Sequence, residues 1–174
     1  MKLLLDVGNS CLKWARMDAS GALQEPGRAL WRDQDMEEVL DDNLGSLSPP
    51  EQVHVASVAG EEVRVQLEDW VRGSWGCPLD FLETAAEGWG VRNAYPRPAQ
   101  MGPDRWAALV AARDGAPGPV VVVDCGTAVT VDALDAAGVH QGGLILPGLE
   151  TMRRSLLTDT AAIQDTPSEG AALL

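Results

Sequence analysis

Apolar and polar positions change period along the chain, and each change marks an element. Residues 2–7 contain the run Leu3-Leu4-Leu5 and read as a buried strand. Leu12, Trp14 and Ala15 begin a second strand, which ends at the turn cluster Met17-Asp18-Ala19-Ser20-Gly21. Ala22 to Trp31 supplies a third strand, interrupted at Pro26-Gly27. The spacing then becomes helical from Asp33 to Leu44, with Met36, Val39, Leu40 and Leu44 on one face and Asp33 as the expected N-cap. Ser48-Pro49-Pro50 breaks that helix. Gln52 to Val58 reads as a strand, Gly60 opens a helix with Val63, Leu67, Trp70 and Val71 on one face, and Pro78 to Leu82 is a further short strand.

Residues 84–103 differ: Gly88, Gly90, Pro96, Pro98, Gly102 and Pro103 punctuate a long irregular segment, a length often given to function. A helix is expected from Asp104 to Arg113, with Trp106, Leu109 and Val110 towards the core, then a loop from Gly115 to Pro119. A second unit follows: a strand from Val120, a turn at Asp124, a strand Val129–Leu134, a turn Asp135–Gly138, a strand His140–Leu146, and a helix around Leu149–Leu157 after Pro147-Gly148. The first unit, three strands then helix, strand, helix, strand, resembles a ribonuclease-H-like half. The second repeats its three strands and one helix, then gives way to a polar tail, Gln164 to Glu169. The expectation is an α/β protein of two ribonuclease-H-like halves with mixed five-stranded sheets, the second half incomplete. The halves are residues 1–103 and residues 104–174.

The repeat carries chemistry. Asp6-Val7-Gly8-Asn9-Ser10 and Asp124-Cys125-Gly126-Thr127-Ala128 stand 118 residues apart, each after an apolar strand. A carboxylate at a strand end, beside a glycine that lets backbone N–H groups approach a ligand, suits a phosphate and its cation. The first turn adds the Ser10 hydroxyl and the Lys13 ammonium. Asp6 can hold Mg2+ directly or through water, since Mg2+ needs few carboxylates. Lys13 can neutralise charge that develops during phosphoryl transfer. Taken alone, such a turn reads first as a tight hairpin in which Asp and Asn serve the backbone. Asp124 follows four valines and is expected at the end of a buried strand, with Cys125 packing inward. A buried carboxylate needs a partner or a cation.

Gly102-Pro103-Asp104-Arg105 opens the helix after the irregular segment. Asp104 is either an N-cap or a general base for a substrate hydroxyl. Arg105 is either a solvated surface residue or a bidentate partner for a substrate carboxylate. Tyr95, the one tyrosine of the chain, can wall a pocket or simply pack. His54 and His140 lie in strands without metal-ligand neighbours and read as structural. Gly142-Gly143 permits close backbone approach, beside a nucleotide or merely at a strand end.

Charge and cysteine narrow the classes. With 26 acidic and 13 Lys/Arg side chains the formal net charge is −13, which repels nucleic acid and anionic membranes. An anionic substrate must therefore be held by backbone amides, a few cations and metal. No apolar run approaches a membrane span, and Asp6 comes too early for a signal peptide. Three widely spaced cysteines suggest neither a disulfide framework nor zinc, so a cytoplasmic protein is expected.

DVGNS followed by LKWA, then YPRPAQMGPDRW, VVVVDCGTAVTVD and GGLILPGL, in that order, resemble type III pantothenate kinase. The family belongs to the acetate and sugar kinase, Hsp70 and actin superfamily, whose two halves flank ATP as in the actin-like ATPases. The resemblance implies ATP-dependent phosphorylation of pantothenate on its primary hydroxyl, the first step of coenzyme A synthesis. It implies Mg2+, a monovalent cation (K+ or NH4+), and a homodimer. Carried over, Asp6, Val7, Gly8, Asn9, Ser10, Cys11, Leu12 and Lys13 form the first phosphate segment, and Thr127 also contacts ATP. Asp124 resembles the monovalent-cation ligand and Asp104 the proton acceptor. Gly102, Pro103, Asp104 and Arg105, with Tyr95, resemble the pantothenate-binding residues. Ser10 stands where threonine is commoner and keeps the hydroxyl. Family members run on further and carry another substrate-contacting threonine, which Thr166 in Asp165-Thr166-Pro167 does not match. Two other readings are a different small-molecule kinase or polyphosphate-type phosphatase on this scaffold, and a non-catalytic regulator.

Overall fold

A computed structural model describes residues 1–160; Thr166 and the polar stretch 164–169 lie outside the described residues. Strand β1 (Lys2–Val7) alternates half-buried and buried positions, as a pleated strand must when only one face is deeply covered. It pairs antiparallel with β2 (Cys11–Met17), which pairs antiparallel with β3 (Leu23–Leu30). Helix α1 (Met36–Leu44) follows, then β4 (Gln52–Ser57), helix α2 (Glu61–Ser74) and β5 (Leu79–Phe81). β4 lies parallel to β1, and β5 parallel to β4, giving the mixed five-stranded order β3-β2-β1-β4-β5. Leu3, Leu5, Val7, Val53 and Val55 join Met36, Val39, Leu40 and Leu44 of α1 and Leu67, Trp70 and Val71 of α2 in one core. Burying a side chain of this size contributes about 1.5–3 kcal/mol, so this core dominates the stability of the first half.

Two local expectations change. β3 runs unbroken through Pro26-Gly27. It is an edge strand, where a missing N–H costs little, and a register shift between Trp14 and Arg16 of β2 absorbs the irregularity. The cap of α1 is Asp35 rather than Asp33. The Asp35 carboxylate accepts from the backbone N–H groups of Glu37 (2.8 Å) and Glu38 (3.4 Å), whereas Asp33 sits at φ +64° two residues too early.

The segment after β5 contains a two-residue hairpin, β6 (Glu87–Gly88) with β7 (Val91–Arg92), and a 3-10 turn at Pro98–Gln100. Neither was anticipated; two-residue strands are too short for any periodicity to register. Helix α3 (Pro103–Gly115) then contacts β4 of the first sheet as well as β7, β8 (Val120–Cys125) and β9 (Ala128–Leu134). Val91, Met101, Trp106, Leu109 and Leu134 form a second core around it. β10 (His140–Pro147) completes an antiparallel sheet β10-β9-β8, matching β3-β2-β1, and leads into α4 (Leu149–Asp159). Among the described residues no helix is long and apolar enough to cross a membrane.

The second sheet corrects one expectation. The repeat sets Val121 and Val123 where the first half has Leu3 and Leu5. Those leucines are 1% and 3% exposed beneath α1 and α2, but Val121 and Val123 are 61% and 57% exposed. Among the described residues nothing equivalent to α1 and α2 covers this face. Asp124 and Cys125 are therefore exposed, not buried or inward-packed.

Candidate active site

The two Asp-x-Gly turns meet. Thr127 Oγ1 donates to Ser10 Oγ at 3.0 Å, joining residues 117 positions apart in the chain. Each turn is fixed from behind. Trp31 Nε1 donates to the Gly8 carbonyl at 2.9 Å and Trp31 N to the Ser10 carbonyl at 3.1 Å. The Thr127 carbonyl accepts from Gly148 N and from Thr151 Oγ1 at the start of α4, at 2.9 and 2.8 Å. Gly8, Asn9, Ser10 and Thr127 are thus held at the joint, with Val7 and Leu12 buried in the sheet below and Cys11 half-buried.

The turns are not identical. In the first, Gly8 N donates to the Cys11 carbonyl, and Asp6 faces Lys13 across the β1–β2 ladder. In the second, Gly126 N donates to the Ala128 carbonyl, and Asp124 faces Thr130. The second loop is one residue shorter, and the position opposite its aspartate carries a hydroxyl instead of an ammonium. Lys13 Nζ donates to Asp6 Oδ2 at 3.1 Å. That hydrogen bond is the main cause raising the Lys13 pKa, and the Asp6 and Asp124 charges add to the rise against partial burial.

Asp104 joins this group from the first turn of α3. Gly102 is the N-cap, so Asp104 is not the cap; its Oδ1 accepts from the Arg105 backbone N–H at 2.7 Å. Pro103 occupies the first turn, where a missing N–H is harmless. A Cβ at Gly102 would overlap the Asp104 carboxylate, so glycine is what lets the chain turn tightly around it. Burial pushes the Asp104 carboxyl above the usual carboxylate range. The Asp6 and Asp124 charges push it further, while the Arg105 backbone N–H and guanidinium oppose. Asp104 on α3 therefore feels the charges of Asp6 on β1 and Asp124 on β8.

This donor set fits cations. Among the described residues no group of three or more His, Cys, Asp or Glu gathers closely enough to hold a metal ion on protein ligands alone. Mg2+ takes one or two carboxylates and fills its shell with water and phosphate oxygens, which Asp6 suits. Asp124, without an ammonium opposite, suits a monovalent cation. A groove of about 660 Å3 along α3, beside Trp89 and Trp106, contains none of these residues.

Arg105 is not the solvated surface residue of one sequence reading. It is 6% exposed, with its Nε 2.8 Å from Asp132 Oδ2 and its Nη2 2.6 Å from Asp132 Oδ1. Nη2 also reaches Tyr95 Oη at 3.5 Å. This pairing raises the guanidinium pKa beyond its already high value. Asp132 Oδ1 also bonds His140 Nε2 at 2.8 Å, and the His140 ring lies 5.7 Å from that of Tyr95. Sequence reasoning passed over Asp132. The available signal was an acid in a strand register that buries its side chain, two positions before buried Leu134, since such an acid requires a partner.

Comparison with known proteins places the chain in a family. A family model described as type III pantothenate kinase matches residues 2–172. The type III pantothenate kinase of Halorhodospira halophila is 41% identical over 177 residues, covering 99% of this chain and 70% of that protein. Those of Nitrosococcus oceani and of a Janthinobacterium species are 41% and 43% identical over 95% and 94% of this chain. The chain spans only 64% and 65% of these two relatives' length. A solved structure from Sinorhizobium meliloti, described as a 2-dehydro-3-deoxygalactonokinase protein, superposes with a TM-score of 0.56 at 15% identity. It covers 99% of this chain and 63% of that one, a likeness of fold alone. The mixed first sheet, its partial echo in the second, and a match spanning nearly every residue leave one assignment: the chain belongs to the type III pantothenate kinase family.

Proposed function

We propose that the protein phosphorylates pantothenate on its primary hydroxyl with ATP, the first step of coenzyme A synthesis. The observation that carries this reading is the meeting of the two Asp-x-Gly turns through Ser10 and Thr127, with Asp104 in electrostatic reach of both aspartates. Free backbone N–H groups of the turn between Val7 and Leu12, with the Ser10 and Thr127 hydroxyls, receive phosphate oxygens. Lys13 lies where negative charge would build up. Asp104 accepts the hydroxyl proton as the acceptor oxygen bonds to the γ-phosphorus and the bond to the β-phosphate oxygen breaks, releasing ADP. Its raised pKa makes it a stronger base than an ordinary carboxylate. Asp6 would hold Mg2+ and Asp124 a monovalent cation, K+ or NH4+; bound there, such ions offset the charge of the transferring phosphoryl group. Gly102 to Arg105 and Tyr95 form the pantothenate side.

We take residues 1–103 and 104–174 as the two halves, and a cytoplasmic homodimer as the working form. ADP release should require pantothenate and should be at least several-fold faster in potassium than in sodium buffer. Pantothenate-independent ATP hydrolysis would favour another enzyme on the same scaffold. Absence of both ATP and pantothenate binding would favour the regulator.

A further inference from the structure

Asp132 touches neither the Asp-x-Gly turns nor Asp104, yet it determines what Arg105 can do. A guanidinium has five N–H groups in a planar fork. Asp132 takes the side formed by Nε and Nη2, at 2.8 and 2.6 Å. Nη1 has no hydrogen-bond partner among the described residues. The sealed, unpartnered side-chain atoms are instead Trp106 Nε1 and His140 Nδ1, so Nη1 still meets solvent. The Nε–Nη2 side is braced further. His140 Nε2 bonds Asp132 Oδ1 at 2.8 Å and Tyr95 Oη lies 3.5 Å from Nη2. A Cβ at Gly143 would overlap both the Asp132 carboxylate and the Arg105 guanidinium. The β10 backbone can come this close only because the register shifts between His140 and Gly143 and residue 143 has no side chain.

We propose that Asp132 is a positioning residue: by holding the Nε–Nη2 side of Arg105, it aims the Nη1 edge, with the Tyr95 hydroxyl beside it, at the carboxylate of the phosphoryl acceptor. Asp132 leaves Arg105 a single free edge, and so sets specificity for an acceptor that ends in an anion at a fixed distance from the hydroxyl served by Asp104. The proposal rests on the pantothenate reading above. It adds that discrimination between the carboxylate and an uncharged end is lost when Asp132 can no longer hold the fork.

The test compares pantothenate with pantothenol, in which a CH2OH group replaces the carboxylate. Calorimetric affinities are measured for the parent chain, Asp132→Asn and Gly143→Ala, each first checked for a cooperative thermal transition. Gly143→Ala keeps the charges and wedges the pair apart, so the test survives if Asp132→Asn does not fold. The parent should prefer pantothenate. In a folded variant pantothenate should weaken about ten- to a hundred-fold, the scale of one lost charged hydrogen bond, with pantothenol within about two-fold. An equal loss for both ligands would make Asp132 merely structural and overturn the proposal, as would an unchanged preference. If the parent binds neither ligand, the pantothenate reading itself fails and takes the proposal with it.

Discussion

Asp104 shows how position alone converts a common residue into a candidate base. Partial burial first, then the Asp6 and Asp124 charges, hold its proton more tightly in the folded protein than in the unfolded chain. Its favourable contribution to stability is therefore complete below the unfolded pKa of about 3.9 and is lost as pH rises through the higher folded value. At neutral pH the ionised side chain is a cost to the fold. Asp104→Asn should lower turnover about 10²- to 10⁴-fold while melting no earlier than the parent at pH 7; any advantage in melting temperature should shrink towards pH 4. In the parent, kcat/KM should fall as pH drops through the raised pKa. A variant that melts much earlier at pH 7 would show that Asp104 stabilises the fold and undo this reasoning. Asp104 was visible in the sequence because it opens a helix after an irregular segment. Asp132 was not, because its partners Arg105 and His140 come from α3 and β10 and meet it only in space.

Among the elements, the longer strands and helices followed from hydrophobic period, and β1, β4, α2 and β9 begin within one residue of their expected starts. Capping did not follow so readily, because Asp33 and Asp35 both precede the apolar face of α1 and periodicity cannot choose between them. Backbone geometry decides for Asp35, whose carboxylate meets two free N–H groups of the first turn. Asp35→Ala should cost about 1 kcal/mol in a denaturant titration. Asp33→Gly should be neutral or slightly stabilising, since glycine adopts φ +64° without strain. The opposite ranking would return the cap to Asp33. The Asp-x-Gly repeat was likewise legible as a pair, but not the one-residue difference that puts Lys13 opposite Asp6 and Thr130 opposite Asp124. Loop length sets that register, and local composition does not report it.

For the whole molecule, the repeat predicted a matching sheet, and β10-β9-β8 indeed follows β3-β2-β1. It misjudged burial, because the strand pattern is the same whether or not a second layer lies over it. Leu3 and Leu5 have α1 and α2 above them, while Val121 and Val123 are more than half exposed. The first half thus has a closed core of its own, and α3 ties it to the second sheet. What the two halves share is the joint at Ser10 and Thr127, with Asp104 alongside. The most direct measurement is 31P NMR of the reaction mixture after incubation with ATP, Mg2+, K+ and pantothenate. The run uses this chain and the same chain continued to its relatives' length, each with and without Asp104→Asn. A new phosphomonoester resonance that depends on pantothenate and disappears with Asp104→Asn is the expected result. A resonance indifferent to Asp104, or none from either length, would contradict it.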